Sequence, residues 1–131
     1  MRLFEISAGF YIASALAVLV LPWNILGAFL LAAGFHELCH LAALKCCAVW
    51  VQQIKLGAFG AKITTGILMP EQELICAAAG PMGSLLLVLL VKRMPLTAIF
   101  GLVQGIFNLL PIYPLDGGRV VRTIFVLAKK A

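Results

Sequence analysis

From Ile25 to Leu44 the sequence is one apolar run, interrupted only where His36, Glu37 and His40 fall close together. A run of this length matches the roughly 20 residues that carry a helix across a bilayer core about 30 Å thick. An ionisable side chain inside such a run costs at least about 2.5 kcal/mol on insertion scales, so a cluster of them marks function. Composition agrees with a lipid solvent: of 131 residues, 63% are hydrophobic and 11% charged, against about half and a quarter in a soluble domain.

The apolar stretches predict a single domain over 1–131, an all-α polytopic membrane protein of about four spans. These cover about 6–21, 25–44, 74–91 and 96–128. The last is too long for one straight helix and is broken near 111–118 by Pro111, Pro114, Gly117 and Gly118 around Asp116. Irregular backbone at membrane depth needs protein or water to satisfy its polar groups, so the break implies an internal cavity. Over about 49–67, Val51, Ile54, Phe59 and Ile63 alternate with polar residues such as Gln53, Lys55, Lys62 and Thr64, with Gly57, Gly60 and Gly66 between them. That pattern predicts a short membrane-associated β-hairpin. Arg2 before an apolar stretch resembles the start of a signal peptide. Glu5 and the passage through Pro22, Trp23 and Asn24 into the next span, with no small-residue cleavage site, favour an uncleaved first span.

Four crossings place Arg2, Lys45, Lys55, Lys62, Arg119, Arg122, Lys129 and Lys130 on one side of the bilayer, and Lys92 and Arg93 on the other. The positive-inside rule makes the first side, with both termini, cytoplasmic. The net charge of +5 is accounted for in this way, since no basic cluster interleaved with aromatics points to nucleic acid. Cys39, Cys46, Cys47 and Cys76 lack the spacing of a disulfide framework or a CxxC zinc site and are read as packing residues. His40 closely precedes Lys45, and Asp116 closely precedes Arg119, so both polar clusters fall toward the cytoplasmic ends of their spans.

The order His36-Glu37-Leu38-Cys39-His40 puts both imidazoles on one helix face, about 6 Å apart, where they can share one ion. Glu37 projects about 100° around the helix and suits a general base acting on a water at the metal. A catalytic zinc takes three protein ligands and leaves one position open. Asp116, the single aspartate of the chain, is the candidate third ligand. Asp116 also suits the N-cap of a terminal helix starting at Gly117, and capping does not exclude ligation. Nitrogen and carboxylate donors make Zn2+ the leading ion.

Together, HELCH at His36 to His40 and NLLPIYPLDGG at Asn108 to Gly118 resemble the site-2 protease family of intramembrane zinc metalloproteases. The second motif is closest in wording to the sporulation members that process a membrane-associated pro-sigma factor. The stretch Ala77 to Ser84 is similar to the family's third-span motif. The resemblance implies His36, His40 and Asp116 as ligands, Glu37 as catalytic base, and a bacterial cell membrane as location. It also implies Asn108 as a substrate-binding or oxyanion residue, against the plainer reading of a helix-packing hydrogen bond. The hairpin around Leu56 to Ile63 would pair with an unfolded strand of a membrane-embedded protein substrate. Cys39 departs from the glycine common at its position. Two other readings remain, a zinc-binding pseudoprotease acting as a membrane adaptor and a metal transporter. Intact Glu37 opposes the first, and the lack of further polar ligands along the spans opposes the second. A homo-oligomer is left open.

Overall fold

A computed structural model describes residues 2–58, 60–113 and 115–131. Phe59 and Pro114, which the sequence puts in the hairpin and in the break of the last span, lie outside the described residues. In chain order the elements are β1 (Phe4–Ile6), α1 (Ala8–Val20), α2 (Trp23–Cys46), β2 (Val51–Gly57), β3 (Gly60–Thr65), α3 (Pro70–Leu86), a 3₁₀ turn (Leu87–Leu90), α4 (Pro95–Asn108) and α5 (Asp116–Lys130).

The chain is mostly helical, and the expected hairpin is part of a larger sheet. The hairpin of β2 and β3 is joined by β1, which pairs in parallel with β2 through Phe4 with Ile54 and Ile6 with Leu56. The result is a three-stranded sheet in the order β1-β2-β3, with β3 as an edge. Ile6 therefore ends a strand instead of starting a helix. Ser7 makes the switch: its N–H donates to the Leu56 carbonyl at 2.9 Å, and its Oγ accepts from Phe10 N–H at 3.3 Å as the cap of α1.

Among the described residues, two helices are long and apolar enough to cross a membrane: α2, with 24 residues, and the 21-residue stretch of α3 with its 3₁₀ turn. At 1.5 Å per residue α2 reaches about 36 Å, more than the hydrocarbon core. The apolar helices α1 and α4 have 13 and 14 residues, about 20 Å each. The last stretch divides into α4 and α5, joined over 109–115. Trp23, the first residue of α2, and Trp50, in the connection between α2 and β2, are both strongly exposed, as expected of aromatic residues at a membrane interface.

Burial is inverted relative to a water-soluble core. Large apolar side chains such as Ile12, Leu19, Leu30, Leu38 and Val103 face outward, while Ala32, Ala77, Ala98, Ser84 and Thr97 are buried. Small residues let backbones approach closely where lipid removes the usual hydrophobic drive between helices. At Gly101 of α4, a Cβ would stand 2.7 Å from the Ser84 carbonyl and 2.8 Å from Leu87. α3 is central, in contact with α2, α4 and α5.

Candidate metal centre

His36 and His40 leave the same face of α2 one turn apart, with ring centroids separated by 4.8 Å and planes at 81°. Both rings are buried. At the far edge of each ring α3 supplies an oxygen. His40 Nδ1–H donates to the Cys76 carbonyl at 2.7 Å, and His36 Nδ1 lies 2.7 Å from Ser84 Oγ. A carbonyl only accepts, so Nδ1 of His40 carries a proton, and in the neutral ring Nε2 presents a lone pair. The same tautomer at His36 puts the Ser84 hydroxyl in the accepting role.

The two Nε2 atoms lie 3.2 Å apart, and Asp116 Oδ2 closes the triangle at 3.2 Å from His36 and 3.0 Å from His40. With Asp116 ionised, three electron pairs converge on one point, an arrangement that repels unless a positive charge lies among them. Three donors about 2.0–2.1 Å from a tetrahedral ion stand about 3.3 Å from one another. The sides of the triangle are close to that spacing, so these residues fit a bound metal ion.

Glycines keep the centre tight. A Cβ on Gly80 of α3 would overlap His40 Nε2 and stand 2.8 Å from His36 Nε2. A Cβ on Gly117 would overlap the Leu109 carbonyl, and one on Gly118 would come within 2.5 Å of the Ile112 backbone. The paired glycines thus let the turn after α4 fold over the start of α5 and deliver Asp116. Asp116 is the first helical residue, and Leu115 is the cap, so the N-cap role belongs to its neighbour. A carboxylate in the first turn still suits the positive end of the helix dipole.

A cavity of about 1390 Å³ opens beside the triangle, lined by His36, Glu37 and Asp116 on one side and by β3 residues such as Lys62 and Ile63 on another. Glu37 is half-buried, and its carboxylate makes no hydrogen bond or ion pair with another described residue. It is free to meet a solvent molecule in the cavity.

The model of peptidase family M50 matches residues 88–131. The chain is similar to the protein named zinc metalloprotease Rip3 of Mycobacterium tuberculosis, at 34% identity over 117 residues, covering 73% of this chain and 30% of that relative. A zinc metalloprotease of Methanocaldococcus jannaschii is 33% identical over 109 residues, covering 72% of this chain and 32% of the relative. These likenesses are to peptidase family M50 and its zinc metalloproteases. It spans about a third of the length of these relatives. The fold is that of the site-2 protease from Methanocaldococcus jannaschii, with a TM-score of 0.73 at 24% identity, over 93% of this chain and 66% of that one.

Asn108 closes α4 and lines the cavity, where its Nδ2 donates to the Gln104 carbonyl at 2.9 Å. That bond lies within one helix, so the packing role between helices is not the one observed. Cys39 turns to α3, where its sulfur occupies the space a Gly83 side chain would need. Cys46 is exposed, unlike the packing residue expected, and the four cysteines are free thiols.

The contacts of Arg119 and Glu73, like that of Ser84 behind His36, escaped the sequence reading. Arg119 Nε donates to Glu73 Oε1 at 2.8 Å, and its Nη1 lies 3.5 Å from Asp116 Oδ1. The available signal was a cation one helical turn from an intramembrane Asp, with a carboxylate at the start of the neighbouring span.

Proposed function

We propose that the chain forms the core of an intramembrane zinc metalloprotease that hydrolyses peptide bonds in transmembrane or membrane-associated proteins. The convergence of His36 Nε2, His40 Nε2 and Asp116 Oδ2 within 3.2 Å of one another carries this reading. These three residues would hold the ion. When bound there, zinc lowers the pKa of a water to about 7 and polarises a carbonyl. Glu37 accepts the proton of the attacking water and returns it to the leaving amine. Asn108, at the cavity wall, offers its remaining amide hydrogen to the substrate carbonyl or backbone.

The cavity admits an extended substrate segment beside β3. As the sheet edge, β3 has backbone groups free to pair with an unwound strand, which supplies affinity through the main chain. Four crossings, a single domain and cytoplasmic termini complete the reading, with α1 and α4 as short spans in a locally thinned bilayer. A bacterial cell membrane is the proposed location. The wording of the motif around Asp116 makes a membrane-associated pro-sigma factor the first substrate to try.

The test is a reconstituted cleavage assay with such a substrate. Glu37→Gln should abolish cleavage and keep bound zinc, whereas His36→Ala and Asp116→Ala should lose both. Full cleavage by Glu37→Gln would remove the base from the scheme.

A further inference from the structure

We infer that Arg119 is a positioning residue for the metal centre: by bridging Glu73 of α3 and the outer oxygen of Asp116, it aims the inner oxygen of that carboxylate at the two imidazoles. The inference rests on the metalloprotease reading above.

The two oxygens of Asp116 have different surroundings. Oδ2 faces His36 and His40 at 3.2 and 3.0 Å, while Oδ1 faces Arg119 Nη1 at 3.5 Å. Arg119 lies three residues further along α5, on the same face as Asp116. Its other side is anchored, since Nε donates to Glu73 Oε1 at 2.8 Å. A guanidinium is planar and rigid, so fixing it on Glu73 also fixes where it can meet Asp116. The Asp116 side chain is only 10% exposed, with Arg119 at 32% and Glu73 at 27%, so water screens this contact incompletely. With the outer oxygen taken, the carboxylate is set to bind an ion through one oxygen, which leaves a coordination position open. Partners behind a metal ligand typically change metal affinity by about 10–100-fold when removed.

The competing role is a strap that joins α3 to α5 and does nothing for the ion. Reversing the pair separates the two. Glu73→Arg with Arg119→Glu keeps the strap, but sets a carboxylate against Asp116 Oδ1.

The full chain is purified in detergent, and zinc affinity is measured by chelator competition, with the visible spectrum of the cobalt-loaded protein as a report on ligand geometry. Arg119→Ala should weaken zinc by about 10–100-fold and alter the cobalt bands. Arg119→Lys, which keeps the charge without the fork, should fall between wild type and Arg119→Ala, and it serves alone if the alanine variant does not fold. The reversed pair should recover most of the thermal stability lost in Arg119→Ala without recovering zinc affinity. Wild-type affinity and spectrum in Arg119→Ala or Arg119→Lys, or recovery of affinity by the reversed pair, would overturn the inference. Failure of the wild-type chain to take up zinc or cobalt would overturn the metalloprotease reading itself.

Discussion

Gly80 of α3 lies flat against the imidazole of His40, so close that a methyl group on its Cα would take the place of His40 Nε2. The adjoining contact to His36 Nε2 would be 2.8 Å, so neither ring can retreat toward the other. Gly80→Ala should therefore displace the ligand edges themselves. We expect zinc affinity to fall by at least about tenfold, beside an overpacking cost of about 1–3 kcal/mol to the stability of the helix pair. Metal analysis beside thermal unfolding checks this, since pure overpacking would lower stability and leave stoichiometric zinc.

Ser84, fully buried, holds the far nitrogen of His36 at 2.7 Å. Ser84→Ala would leave a buried N–H without a partner, at about 1–3 kcal/mol, and free the ring to turn. Zinc affinity should drop by about 10–100-fold. Chelator competition reads the loss.

Ion binding should also stabilise the fold, because the three ligands come from α2 and α5, far apart in the chain. Free zinc at a hundredfold excess over its dissociation constant adds about 2.7 kcal/mol to a protein whose unfolded state does not bind it. We expect the melting temperature in detergent to rise with added zinc in wild type and Glu37→Gln, and to be insensitive to zinc in His36→Ala and Asp116→Ala.

The candidate metal ligands stood out because they break an otherwise apolar pattern: two histidines one turn apart and a lone aspartate are conspicuous where water is absent. The hairpin was legible from alternation and glycines. β1 was not, because Phe4–Ile6 is short and merges into the apolar residues of α1; its pairing partner at Ile54 to Leu56 lies far along the chain. Two of the four expected spans, α1 and α4, are shorter than a bilayer core, since an apolar run fixes how many residues suit lipid and not where Ser7 or Pro95 starts the helix. The Arg119–Glu73 pair was hidden because the sequence counts charges by side of the membrane, which says nothing of which anion each cation meets. Ser84 is a neutral residue in a span, and only the fold reveals that it sits behind His36.

The end of α2 offers a prediction on stability alone. Ala48 has φ 56°, and the chain turns there with Ala48 N–H donating to the Lys45 carbonyl at 3.0 Å and Val49 N–H to the Leu44 carbonyl at 2.9 Å. This left-handed closure of a helix favours glycine. The strain on a Cβ, about 1–2 kcal/mol, exceeds the added chain entropy of glycine, so Ala48→Gly should stabilise by roughly 0.5–1 kcal/mol. Thermal unfolding in detergent measures it, with zinc content unchanged.

The coordination itself is tested most directly by zinc X-ray absorption on the purified, loaded chain. The spectrum should show a first shell of nitrogen and oxygen near 2.0–2.1 Å, roughly as for known sites, with outer-shell scattering from two imidazoles and no sulfur. A sulfur scatterer near 2.3 Å, or a shell without paired imidazoles, would place the ion elsewhere, on a thiol such as Cys39, and contradict a centre made of His36, His40 and Asp116.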